Sequence, residues 1–156
     1  MATLTVKLTE ELELNGRERG SELLLSITGV TQAFHRIITC PASQDTTIAT
    51  FQAAVHTTDG AVDLDDAKYI RVTNLDPTSE VVLSLQISND EDGAADASTS
   101  LLLAAGRSFI MGAPLEGIAC DDDAATIITD AALHNLESLL VDPKGNAVSI
   151  EVFIAS

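Results

Sequence analysis

Three histidines, His35, His56 and His134, are the side chains of this chain best suited to acid–base or metal chemistry, and their wide separation argues against both. A zinc site built on one helix or hairpin places its ligands a few residues apart, and no such pair occurs here. His35 lies in an alternating segment and reads as an ordinary hydrogen-bonded side chain. A serine nucleophile needs a strained turn, which neither Gly106-Arg107-Ser108 nor Gly20-Ser21 supplies. Ser88, Asp90, Asp92 and Gly93 follow the rhythm of a calcium loop, but the first position is serine and Thr99 stands where a bidentate glutamate belongs. Asp63, Asp65 and Asp66, and the run Cys120 to Asp123, read as solvated acidic loops, with calcium chelation as the alternative. Gly112 to Gly117 contains Pro114 and opens no helix, so it is no phosphate cradle. The sequence thus assigns no catalytic, cofactor-binding or metal-ligating residue.

Composition narrows the function further. The formal net charge is −16, from 24 acidic and 8 basic residues, and the basic ones are scattered. Nucleic-acid binding needs clustered cations to displace counterions, and anionic membranes repel such a chain; both partners are excluded. The charge favours solubility, tolerance of salt and docking onto a basic protein surface, a saline habitat being the simpler explanation. Aromatic residues are 3% of the chain and tryptophan is absent, which removes the stacking platforms of carbohydrate and single-strand binders. Cys40 and Cys120 read as buried small hydrophobes, with a single disulfide or a free surface thiol as alternatives. The N-terminal residues lack a signal-peptide core, and no stretch approaches the ~18 apolar residues of a membrane helix. Synthesis in the cytosol is expected.

The elements that would position any site are strands. Val81, Leu83, Leu85 and Ile87 alternate with polar or smaller residues, as do Val148, Ile150, Val152 and Ile154, which is the period of a strand with one buried face. Leu4, Val6 and Leu8 alternate likewise; Leu12 and Leu14 run into the turn dipeptide Asn15-Gly16; Leu23, Leu25 and Ile27 follow, ending at Gly29. Phe34 to Cys40 stops at Pro41, and Thr46 to Phe51 is rich in β-branched residues. Gly60 to Ala67 reads as a polar connection. Tyr69–Asn74 and Glu80–Ser88, joined across Pro77, are predicted to form a hairpin, and Leu101–Leu103 with Arg107–Met111 a second one around Gly106. Asn89 to Ser98 and Gly112 to Ala125 read as loops, and Ile127-Ile128 as the start of a short strand. Leu133, Leu136 and Leu140 have helical spacing, predicting one short helical turn near Ala131–Asn135 before a closing hairpin. The expectation is an all-β, antiparallel β-sandwich or jelly roll of about eight to ten strands in a single domain, residues 1–156, large enough for a self-sufficient core.

The runs Cys40 to Phe51, Tyr69 to Asp76, Gly106 to Met111 and Val148 to Ser156 resemble those of small β-rich virion structural proteins encoded beside capsid and tail genes in tailed phages of marine bacteria. The resemblance implies a non-catalytic, acidic capsid decoration or cement protein located in the virion. Its partners would be the major capsid protein or other virion proteins and further copies of itself, a homo-oligomer such as a trimer seated on the shell. A neck or tail component, or a cellular β-sandwich binding or adhesion module, is the alternative.

Overall fold

The computed structural model describes residues 1–53, 60–88, 97–119 and 133–156. Within them, ten strands of four or more residues form: β1 (Ala2–Glu10), β4 (Ser21–Val30), β5 (Ala33–Cys40), β6 (Thr46–Gln52), β8 (Tyr69–Asn74), β9 (Val81–Ser88), β10 (Ala97–Leu103), β11 (Ser108–Met111), β12 (Asn135–Asp142) and β13 (Val148–Ala155). Three two-residue strands complete the set: β2 (Glu13–Leu14), β3 (Arg17–Glu18) and β7 (Val62–Asp63).

Two sheets carry the core. One has the order β11-β8-β13-β5, the other β10-β9-β12-β6-β7. The pairs β5 with β13, β6 with β12, β8 with β11 and β9 with β10 are all antiparallel. They describe one long ribbon, β5 to β9 running out and β10 to β13 running back, rolled so that successive turns fall in opposite sheets. That is jelly-roll topology. The alternating apolar positions meet between the sheets: Val81, Leu83 and Leu85 of β9 and Leu139 and Val141 of β12 pack with Ile70 and Val72 of β8 and Val148, Ile150, Val152 and Ile154 of β13.

The rolled ribbon overturns the predicted hairpins. β8 and β9 lie in different sheets, as do β10 and β11, and β12 and β13. Each short connection therefore arches from one sheet to the other. The turn after β8 makes that crossing possible because Asn74, fully buried, ties three carbonyls: its amide nitrogen donates to Ser79 at 2.8 Å, Leu103 at 3.3 Å and Ala104 at 3.4 Å. Asp76 then closes the loop, its Oδ1 accepting from the backbone nitrogens of Thr78 and Ser79 at 2.8 and 2.6 Å.

Other differences have local causes. Asn135 opens β12, and His134 makes an isolated bridge to Ile118, so no helical turn forms at 133–135; residues 131 and 132 lie outside the described residues. The spacing of Leu133, Leu136 and Leu140 does not mark a buried helical face: Leu133 is exposed, and a register shift at Glu137, a bulge, instead turns Leu136 and Leu139 inward. Gly60 to Ala67 is more than a polar connection: Val62, Leu64 and Ala67 join the core, and β7 pairs with β6 in parallel. β10 begins at Ala97, inside the stretch read as a loop. Ile127-Ile128 lies outside the described residues.

Candidate interaction surface

Strand alternation sends Tyr69, Arg71 and Thr73 of β8, and Glu151, Phe153 and Ala155 of β13, away from the core and onto the outer face of the four-stranded sheet. Polar side chains link its four strands there. His35 Nε2 of β5 lies 2.8 Å from Glu151 Oε1, and Arg71 Nη1 donates to Glu151 Oε2 at 2.7 Å and to Thr73 Oγ1 at 2.6 Å. Thr73 in turn shares a 2.8 Å hydrogen bond with Ser108 Oγ of β11. The Arg71 guanidinium, and after it His35, hold the Glu151 carboxyl below the usual glutamate range. With donors on both sides the carboxylate is a fastened structural acceptor and a poor general base. His35 also stacks edge-on against Phe153, which does the same with Tyr69.

Across this aromatic row lies the root of an arm. β1 and β4 form a two-stranded antiparallel ribbon that belongs to neither core sheet. Its register pairs Leu4 with Ile27, Val6 with Leu25 and Leu8 with Leu23, so six apolar side chains share one face. Thr3, Thr5, Lys7 and Thr9 occupy the other, where Lys7 Nζ meets Glu22 at 2.8 Å. Near the root, Leu4, Val6 and Ile27 pack with Val30 against Tyr69, Phe153 and Ala155. Backbone bonds fasten this end: Thr31 and Gln32 donate to the Ser156 carbonyl at 2.6 and 2.9 Å, and Lys68 Nζ reaches the Gly29 carbonyl at 3.1 Å.

Farther out the apolar face loses its cover. Leu8, Leu23 and Leu25 keep 45% to 60% of their surface exposed, and Leu12 and Leu14 beyond them are about as open. The tip is nonetheless well formed. Asn15 and Gly16, with φ of 54° and 68°, make the left-handed turn that matches strand twist. The Glu18 carboxylate accepts from the backbone nitrogens of Gly20 at 2.8 Å, Arg19 at 3.1 Å and Leu12 at 3.3 Å, which lowers its pKa. A two-stranded ribbon is marginal alone in water, and a continuous open leucine face marks an interaction site. Beside the arm, a groove of about 480 Å³ runs between β1 and the outer sheet face, lined by Leu8, Ile110, Phe153, Tyr69 and Arg71 among others.

The residues weighed in the sequence fall elsewhere or into structural roles. His35 is exposed and joined to Glu151, while His134 lies just before β12 in an isolated bridge to Ile118; His56 is outside the described residues. Ser88 ends β9 and Thr99 sits within β10, so both belong to ladders and not to a coordinating loop; Asp90, Asp92 and Gly93 are outside the described residues, as is Cys120 to Asp123. Asp63 Oδ1 accepts from the Asp65 backbone nitrogen at 3.0 Å in a tight turn. Cys40 is a buried free thiol whose pKa burial pushes up. Ser108 bonds Thr73, and Ser21 Oγ donates to Glu10 at 2.7 Å. The loop at Gly112 to Gly117 is pinned to β12 through Glu116, whose backbone nitrogen donates to Asn135 Oδ1 at 2.9 Å. Among the described residues, no three or more of His, Cys, Asp and Glu are grouped to hold a metal ion.

No family model matches the chain, and neither a curated protein nor a solved structure does.

Proposed function

We propose that this protein is a non-catalytic virion structural protein of a tailed bacteriophage, a decoration subunit that seats on the head shell and stabilises it. The observation that carries the reading is the arm: a two-sheet body holds out a ribbon whose outer leucines, Leu8, Leu23 and Leu25, stay about half exposed. A subunit that works by contact needs such a projecting, adhesive element, whereas a small-molecule enzyme needs a convergent polar pocket. The jelly roll adds support by analogy, since viral capsid domains and lectins share it, though fold alone does not carry function. The charge of −16 suits a subunit that lands on a basic partner surface and stays dispersed before landing.

The test is to add purified protein to undecorated heads of the phage that encodes it. The expected result is saturable binding and greater resistance of the heads to heat, with the subunit seen on the shell by electron microscopy. Binding confined to neck or tail would relocate it within the virion, and failure to bind any virion part would overturn the reading.

A further inference from the structure

We infer that the free edge of β1 is a strand-addition site: an extended segment of another protein, apolar at alternate positions and basic between them, pairs with Leu4 to Leu8 in the groove beside Ile110.

The shape of the groove selects an extended backbone. Its lining includes five consecutive residues of β1, Leu4 to Leu8. Side chains of a strand alternate between two faces, so a groove that touches five in a row follows the strand's backbone edge. Among the described residues β1 pairs with β4 alone, which leaves every second backbone N–H and C=O of that edge turned outward. Folds guard such edges with proline, lysine, bulges or shortness. β1 has nine residues and no proline, its register shift lies at Ala2 and Thr3, outside the groove, and its lysine, Lys7, is drawn to Glu22 of β4. A ligand that satisfies the edge must offer donors and acceptors at strand spacing, and an extended peptide does so.

There is room for one strand. Phe153, Arg71 and Ile110 are register partners in a row across β13, β8 and β11, about 10 Å wide at ~4.8 Å between strands. The ribbon covers the Phe153 end, Ile110 stays half exposed, and the groove between them measures about 480 Å³. A third strand laid there, its apolar side chains over Ile110, supplies the support that two strands lack alone in water. Charge selects the other side of the segment. The two cations in the lining, Lys7 and Arg71, are held by Glu22 and Glu151, so an anionic ligand finds both already paired. The net charge of −16 draws a basic segment and repels a second copy. The strand edge, and not the leucine face that carries the virion reading, makes these bonds.

Isothermal titration of the full chain with the end-capped peptide Lys-Val-Lys-Val-Lys-Val-Lys tests this. Saturable binding is expected, and hydrogen exchange should slow roughly tenfold or more at alternate amides from Leu4 to Leu8, but not along β5 or β10. A paired strand aims its N–H groups alternately at its two sides. Methylating the backbone nitrogens of the valines in one peptide, and of the lysines in another, should therefore leave one tight and weaken the other at least about tenfold, with side chains and charge unchanged. Equal affinities of the two, high or low, would overturn the proposal; attraction to charge alone ignores which nitrogens are blocked. No binding of the unmethylated peptide, or protection gained only elsewhere, would overturn it too. So would a chain that sediments at a multiple of 16.4 kDa with its β1 amides already protected, which puts a second copy on the edge.

Discussion

Glu151 and Arg71 are joined at 2.7 Å although they are not cross-strand partners: Glu151 pairs with Thr73, and Arg71 with Phe153. The contact is diagonal, and the same carboxylate reaches His35 on the far side. Both partners lower the Glu151 pKa, so the native state binds this proton less readily than the unfolded chain. The stabilisation is therefore complete above the ordinary glutamate pKa of about 4.3 and is lost as pH falls through the lowered native value. Glu151→Gln should cost about 1 kcal/mol at neutral pH, in keeping with a partly exposed pair, and the gap to wild type should close in acid. Urea unfolding across that range measures it; a gap that widens in acid contradicts the assignment.

Leu83 and Gln86 sit three residues apart on β9 and face opposite ways, the first fully buried and the second donating to Ser84 Oγ at 2.8 Å. Leu83→Asp puts an unpaired charge between the sheets and should cost more than about 4 kcal/mol, enough to abolish folding. Gln86→Asp should stay within about 1 kcal/mol. Equal tolerance in thermal unfolding would mean that the inward face is misassigned.

Asn74 satisfies carbonyls of its own connection, at Ser79, and of the β10–β11 crossing, at Leu103 and Ala104. Replacing it with leucine, close in size, leaves those acceptors and the Asp76 backbone nitrogen unpaired, at about 2–4 kcal/mol. Denaturant titration of Asn74→Leu should show that loss; a neutral effect would mean the carbonyls find other donors.

Gly20 lies where the arm narrows, and a Cβ there would overlap the Glu10 carbonyl. Gly20→Ala should loosen the arm without touching the core. Hydrogen exchange at residues 12–25 should quicken by roughly tenfold or more while the strands of the body keep their protection. A fall in protection throughout β9 and β13 would show that arm and body unfold together.

Alternation makes the inward residues of β8, β9 and β13 legible in the sequence itself, because period two is a local property of each strand. Pairing is not local. Tyr69–Asn74 and Val81–Ser88 resemble a hairpin because a short turn joins them, but the choice between pairing and crossing is settled by β13 and β12, which arrive last and occupy the places beside them. The same limit hides the Arg71–Glu151 contact: both residues sit at outward positions, yet their meeting depends on a register set across 80 residues. The leucines of β1 and β4 mislead in another way. Their period promises a buried face, and the chain itself covers only the half nearest the root. The helical spacing of Leu133, Leu136 and Leu140 misleads because a bulge at Glu137 makes Leu136 and Leu139 the inward pair of β12.

The rolled ribbon also sets a timetable. Since β5 pairs only with β13, and β6 gains its antiparallel neighbour only with β12, neither sheet of a nascent chain can close until its last strands leave the ribosome. Contacts so distant in sequence make folding slow, in the millisecond-to-second range typical of such topologies. The leucine-rich arm, by contrast, pairs with itself and is finished first, so each newborn polypeptide carries its stickiest part in place well before the rest has taken shape.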